Sequence, residues 1–119
     1  MHIIITGVQL EITEAIRSYT LDKMKALGKY VDKDDTSGKL TIELQKTTNH
    51  HTHGDFFQAE AHLHVRWKEI SLKTTQDDLY KSIDVLKDML SRELSQHKDK
   101  SRSIFRRSAH SVKSLFKKL

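Results

Sequence analysis

The chain has 119 residues, 36% of them hydrophobic, with 21 Lys and Arg against 16 Asp and Glu, which describes one small domain of formal charge +5. All 16 acidic residues and 15 basic ones lie in residues 1–100, so that region is near neutral, and residues 101–119 supply the excess with six basic residues and no acidic one. No segment reaches the roughly 18 apolar residues of a membrane-crossing helix, and the lack of cysteine excludes a disulfide framework, a thiolate nucleophile and a zinc–thiolate site, so the chain reads as soluble and cytoplasmic.

Ile3 to Thr6 is short, β-branched and closed by Gly7, the pattern of an N-terminal strand. A helix is expected next. Thr13 can cap it, Glu14 suits its positive end, and Ile16, Thr20, Met24 and Leu27 recur at helical spacing up to a stop at Gly28. Lys25 points away from that stripe, Arg17 flanks it, and Lys23 snorkels from its edge. Asp32 to Gly38 is polar and loop-like.

Three strands follow, Leu40 to Lys46, Phe56 to Val65 and Ile70 to Thr74, separated by a loop around Asn49 to Asp55 and a turn at Arg66, Trp67 and Lys68. Alternation places Leu40, Ile42, Leu44, Phe57, Ala59, Ala61, Leu63, Val65, Ile70 and Leu72 on one face. Glu43, Gln45, Glu60, His62, His64, Glu69, Ser71 and Lys73 fall on the other. Such a sheet packs its helices on the apolar side only, and Ala59 and Ala61 let a helix lie close.

The second helix is expected after Thr75, which with Asp78 approximates a capping box, and runs to about His97. Leu79, Ile83, Leu86, Leu90 and Leu94 form its core stripe, Tyr80 and Lys87 lie on a flank, and Lys81 and Arg92 face water. No proline interrupts either helix. The order is β-α-β-β-β-α, an α+β two-layer sandwich whose right-handed crossover lets both helices share one sheet face.

In residues 101–119, Ile104, Phe105, Val112, Leu115, Phe116 and Leu119 fall on one side of a helix, with Arg102, Arg106, Arg107, Lys113, Lys117 and Lys118 over much of the rest. A lone helix of this length is marginal, so the tail is expected to order fully only against a partner. Its pattern suits an anionic membrane, a protein groove, an RNA channel or a cap on the domain's own core.

Thr6-Gly7 is followed by Glu11-Ile12-Thr13-Glu14-Ala15-Ile16-Arg17, then Lys23, Leu27, Tyr30 and Asp32. Later come Ala61-His62-Leu63-His64-Val65, Glu69-Ile70, Asp78-Leu79-Tyr80, Ser82-Ile83-Asp84, Leu90, Arg92, Leu94 and His97-Lys98-Asp99-Lys100. Over about residues 1–100 this set resembles the ribosome hibernation promoting factor family, which includes protein Y and the sigma-54 modulation proteins. The resemblance implies the same β-α-β-β-β-α fold. It also implies a stress-response translation inhibitor that binds the small ribosomal subunit at the mRNA and tRNA sites and stores ribosomes in an inactive state.

Members place basic helix residues against ribosomal RNA phosphates. By position the candidates are Arg17 and Lys23 on the first helix and Arg92, Lys98 and Lys100 on the second. Met89 and Gln96 stand where relatives often have Lys, and Glu93 replaces a common Gln, which thins the basic face. Lys25, Lys81 and Lys87 complete the candidate set, and the tail residues Arg102, Arg106, Arg107, Lys113, Lys117 and Lys118 are expected to add contacts to RNA or to ribosomal proteins. The expected organisation is a ribosome-binding domain over residues 1–100 with a tail over 101–119. Nineteen residues leave no room for the C-terminal dimerisation domain of the long family form. The protein is expected to be monomeric when free and to bind no membrane.

The same residues admit other readings. A charged outer helix face balanced by Asp77, Asp78, Asp84, Asp88 and Asp99 is the ordinary state of a surface helix. His50, His51, His53, His62 and His64 cluster, but no zinc spacing is present, and no metal or other cofactor is expected. No G-x-S-x-G elbow, phosphate-cradling Gly-rich loop or H-E-x-x-H occurs, so an enzyme is not expected. RNA-recognition motifs share this architecture but stack bases on sheet aromatics, and the polar face here has only Phe56 near its start. Trp67 reads as a partly buried lid. The competing class is a regulatory module that binds a non-ribosomal protein or an anionic membrane through the tail.

Overall fold

The computed structural model describes residues 1–48 and 54–96. Its elements are β1 (His2–Val8), α1 (Glu14–Lys25), a 3-10 helix (Ala26–Tyr30), β2 (Lys39–Thr48), β3 (Asp55–Val65), β4 (Lys68–Gln76) and α2, helical over 79–96. This is the expected β-α-β-β-β-α order. The strands form one mixed sheet in the order β1-β2-β3-β4, with β1 parallel to β2 and the other neighbours antiparallel. A parallel pair requires a crossover, which α1 supplies.

Register fixes which face each side chain takes. The rows Ile3–Leu40–Leu63–Ile70 and Ile5–Ile42–Ala61–Leu72 cross the sheet on its covered side. Leu40, Ile42, Leu44, Ala59 and Ala61 are fully buried there against Met24 of α1, Leu27 of the 3-10 helix and Ile83, Leu86, Leu90 and Leu94 of α2. Burying a Leu or Ile side chain is worth about 1.5–3 kcal/mol relative to exposure, so this shared core holds both helices over one face. Trp67 packs part-buried at the edge of the same core, as a lid does.

Gly7 sits in the row of Leu44 and Ala59. A Cβ there would lie 2.2 Å from the Leu10 carbonyl oxygen and 3.0 Å from the Ile12 side chain, because the chain folds back over β1 before α1 begins. The fold-back turns through Gln9, whose φ is +53°.

Several boundaries depart from the sequence expectation. The α-helix ends at Lys25 and tightens into the 3-10 helix, so Gly28 lies inside the helical run and accepts the closing bond from the Val31 N–H at 3.2 Å. Thr75 does not cap α2, because β4 continues pairing with β3 and places Thr75 opposite Gln58. Asp78 caps instead, its Oδ2 accepting from the Lys81 N–H at 3.1 Å. The strands of both hairpins extend past their apolar cores because backbone pairing continues toward the turns, Thr48 reaching Asp55 and Val65 reaching Lys68.

The loop between α1 and β2 is tied down by Asp35. Its carboxylate accepts from the backbone N–H of Arg66 at 2.8 Å and from the N–H of Ser37 at 3.0 Å and its hydroxyl at 2.5 Å. These bonds, led by the Ser37 hydroxyl, hold the Asp35 carboxyl below the ordinary aspartate range. Arg66 reciprocates by donating to the Asp34 carbonyl at 3.1 Å. The loop is thereby clipped to the β3–β4 turn.

Candidate nucleic-acid interface

Both helices lie on the covered side, and their contacts show that they run in the same direction. Tyr19 meets Tyr80 edge-on with ring centroids 4.8 Å apart, and its hydroxyl donates to Asp84 Oδ1 at 2.5 Å. One turn further along α1, Lys23 Nζ lies 3.3 Å from the same oxygen. The Lys23 ammonium also lies 5.6 Å from the Tyr19 ring centroid, within cation–π range. The hydrogen bond to Asp84, reinforced by burial, raises the Tyr19 hydroxyl pKa above that of a free tyrosine. The same carboxylate, through hydrogen bonding and then charge, raises Lys23 above the ordinary lysine value. Asp84 is therefore the hinge pin of the seam between the helices.

Parallel helices bring the negative ends of both backbone dipoles to the same side, where cations are favoured. Lys23 and Lys25 occupy the last turn of α1. These lysines consequently have a structural role as well as a candidate binding role.

The candidates fall into three groups. Arg17, Lys25 and Arg92 are exposed and have no carboxylate partner among the described residues. Arg17 and Lys25 lie round the α1 wheel from the Tyr19–Lys23 flank, so the seam does not consume them. Lys23 is committed to Asp84, while Lys81 pairs with Asp77 at 3.6 Å and Lys87 with Asp88 at 3.9 Å. Exposed pairs of this kind contribute about 0–1 kcal/mol and rearrange readily when a phosphate competes. Lys98, Lys100, Arg102, Arg106, Arg107, Lys113, Lys117 and Lys118 lie outside the described residues, as do His50, His51 and His53.

Asp84 is the residue that sequence reasoning undervalued. In the sequence it reads only as one charge balancing a helix face, whereas its carboxylate holds both Tyr19 and Lys23, and Tyr80 joins them through the Tyr19 ring. The open face of the sheet carries contacts that its alternation alone does not reveal. His62 Nε2 lies 3.0 Å from Glu60 Oε1 and its Nδ1 3.0 Å from Ser71 Oγ, while His64 Nδ1 lies 3.1 Å from Glu69 Oε1. Each histidine has a carboxylate partner on the sheet itself. Among the described residues no group of three or more His, Cys, Asp or Glu is arranged to hold a metal ion, and no helix is long and apolar enough to cross a membrane.

Comparison with known proteins supports the fold and assigns the family. Residues 3–102 match the family model described as Sigma 54 modulation protein / S30EA ribosomal protein. The ribosome hibernation promoting factor of Escherichia coli is 37% identical over 100 residues, covering 84% of this chain and 96% of that protein. The ribosome hibernation promoting factor of Azotobacter vinelandii is 33% identical over 100 residues, with 84% and 85% covered. Among solved structures, the N-terminal domain of Thermus thermophilus Protein Y superposes with a TM-score of 0.63 at 26% identity, covering 82% of this chain and 99% of that one. A ribosomal subunit interface protein from Coxiella burnetii shares the fold, with a TM-score of 0.65 at 24% identity over 83% of this chain and 99% of that one. The chain belongs to the Sigma 54 modulation protein / S30EA ribosomal protein family.

Proposed function

We propose that the protein is a non-enzymatic ribosome hibernation factor, which occupies the mRNA and tRNA sites of the small ribosomal subunit and keeps ribosomes inactive under stress. The observation that carries this reading is the family match over residues 3–102, with close relatives that are ribosome hibernation promoting factors. Arg17, Lys25 and Arg92, exposed and without a carboxylate partner among the described residues, supply phosphate-binding cations on the helix layer, with Lys81 and Lys87 available by exchange of weak partners. Blocking such sites requires occupancy and no bond chemistry.

The mechanism follows from charge that is permanent and positioned. Each Lys or Arg that neutralises an RNA phosphate releases a condensed counterion, which gives affinity that falls steeply with salt and reads little base sequence. A fixed ribosomal RNA surface suits that behaviour. Residues 1–100 act as the docking domain in the cytoplasm, and the basic residues of 101–119 extend the contact. Co-sedimentation of the full chain with small ribosomal subunits across a salt series tests the reading. Binding that weakens steadily with salt is expected, and a protein left at the top of a low-salt gradient would exclude it. Removing residues 101–119 should lower affinity while residues 1–100 still unfold cooperatively.

A further inference from the structure

The open side of the sheet carries a feature that the helix layer does not use. Cross-strand register sets His2, Lys39, His64 and Glu69 in one row, Ile4, Thr41, His62 and Ser71 in the next, and Thr6, Glu43, Glu60 and Lys73 in a third. The β2, β3 and β4 members of the first two rows, Lys39, Thr41, His62, His64, Glu69 and Ser71, line a shallow groove of about 240 Å³. His62 and His64 are each more than half exposed at 55% and 52%, so their charge reaches solvent.

The charged and titratable groups on this face are His2 from β1, Lys39 and Glu43 from β2, Glu60, His62 and His64 from β3, and Glu69 and Lys73 from β4. Arg66, at the adjoining turn, is engaged by Asp34 at 3.8 Å. With neutral histidines the face sets two lysines against three glutamates and repels phosphate. Protonating His62 and His64 makes it four cations against the same three carboxylates, and His2 adds a fifth. Histidine is the side-chain type that makes this change between about pH 5 and 8.

The hydrogen bonding tolerates both charge states. When neutral, His62 donates from Nε2 to Glu60 and accepts at Nδ1 from the Ser71 hydroxyl; when protonated, it donates from both nitrogens, because that hydroxyl can turn round. His64 meets Glu69 through Nδ1, which leaves Nε2 directed elsewhere. Lys39 and Lys73 hold no carboxylate within ion-pair distance among the described residues. Lys39 Nζ and the Thr41 hydroxyl therefore remain as donors to an incoming anion, and His64 Nε2 joins them once the ring is protonated.

We infer that the open sheet face is a second RNA-phosphate contact surface, closed while His62 and His64 are neutral and opened when they gain protons. RNA as the partner rests on the reading proposed above, whereas the charge reversal rests on the register of the sheet alone. Acidification then adds contacts on the side of the molecule away from the helices, tightening the complex in an acidified cell.

The test compares the full chain with a His62→Gln/His64→Gln variant, whose amides keep hydrogen-bonding capacity at exposed positions. Binding to a short unstructured RNA and to isolated small subunits is measured across salt at about pH 6 and pH 8. For single-stranded RNA, two further phosphates steepen the slope of log affinity against log salt by about 1.4, so the wild type should show that increase at the lower pH and the variant should lose it. Residual pH dependence common to both proteins belongs to the other histidines. An equal pH response in variant and wild type overturns the inference, as does failure to bind the RNA at either pH. Acid-enhanced, histidine-dependent RNA binding without any small-subunit binding would sustain this surface and overturn the ribosomal reading.

Discussion

The helix layer and the open sheet face both carry charges of either sign but control them differently. On the helices the cations are Lys and Arg, permanently charged, and the protein sets their availability by placing or withholding a carboxylate. Lys23 is held by Asp84, whereas Arg17, Lys25 and Arg92 are left open among the described residues. On the sheet the carboxylates are fixed, and the histidines between them decide the sign of the surface. One face should therefore answer chiefly to salt and the other to pH, although both belong to a region of nearly zero net charge.

The largest effect expected on that contrast comes from removing the open cations. Arg17→Ala with Arg92→Ala should weaken small-subunit binding severely and lower the salt slope by about 1 for each lost phosphate contact, equally at pH 6 and pH 8. Thermal unfolding should be unchanged, since neither side chain has a structural partner among the described residues. A slope that stays at the wild-type value would show that the helix layer is not the contact.

Asp84→Asn should separate the structural from the binding role of Lys23. The substitution removes the charge that holds the ammonium and weakens the acceptor for the Tyr19 hydroxyl. The unfolding midpoint should fall by a few degrees. Affinity for small subunits, measured by sedimentation, should rise severalfold, because a cation is released at the seam. A fall in both would mean that the seam positions the contact and does not compete with it.

The difference between the faces was only partly legible in the sequence. Periodicity of two and of 3.6 identified the strands, both helices and nearly all of the core, because each stripe is a local pattern: Ile16, Thr20 and Met24, or Leu79, Ile83, Leu86, Leu90 and Leu94. It also placed Glu60, His62, His64 and Glu69 on one face. The Tyr19–Asp84 bond joins residues 65 apart in sequence and depends on the helices running parallel side by side, which no local pattern encodes. The cap of α2 was misplaced for a related reason. Thr75 satisfies a local capping pattern, but pairing with Gln58 holds it in β4 and leaves the cap to Asp78.

The loop clip gives a smaller effect with a defined pH course. Asp35 has its pKa lowered by the Ser37 hydroxyl and the Arg66 and Ser37 backbone N–H groups, so its contribution to stability is present above the unfolded aspartate value of about 4 and is lost as pH falls through the depressed folded value. Asp35→Asn should therefore unfold at a lower temperature than wild type at pH 7. The gap should close in strong acid. A gap that persists there would assign the loss to altered packing of the loop.

The smallest effect is alkaline and confined to the seam. Tyr19 and Lys23 both have raised pKa values in the fold, caused first by their hydrogen bonds to Asp84, so both favour the protonated state when folded. Their contribution is fully present below the unfolded values of about 10 and is lost as pH rises through the folded ones. Tyr19→Phe should lower stability at pH 8 by about 0.5 kcal/mol, the low end for a hydrogen bond at a part-exposed site. As pH rises through the raised folded value the wild type should lose this advantage, because the ionised Tyr19 oxygen would face the Asp84 carboxylate. Unfolding curves for the two proteins should therefore converge, or cross, in alkali. Curves that stay parallel across the tyrosine range would show that the hydroxyl proton is not what joins α1 to α2, leaving the Tyr19–Tyr80 ring contact as the stabilising part of the seam.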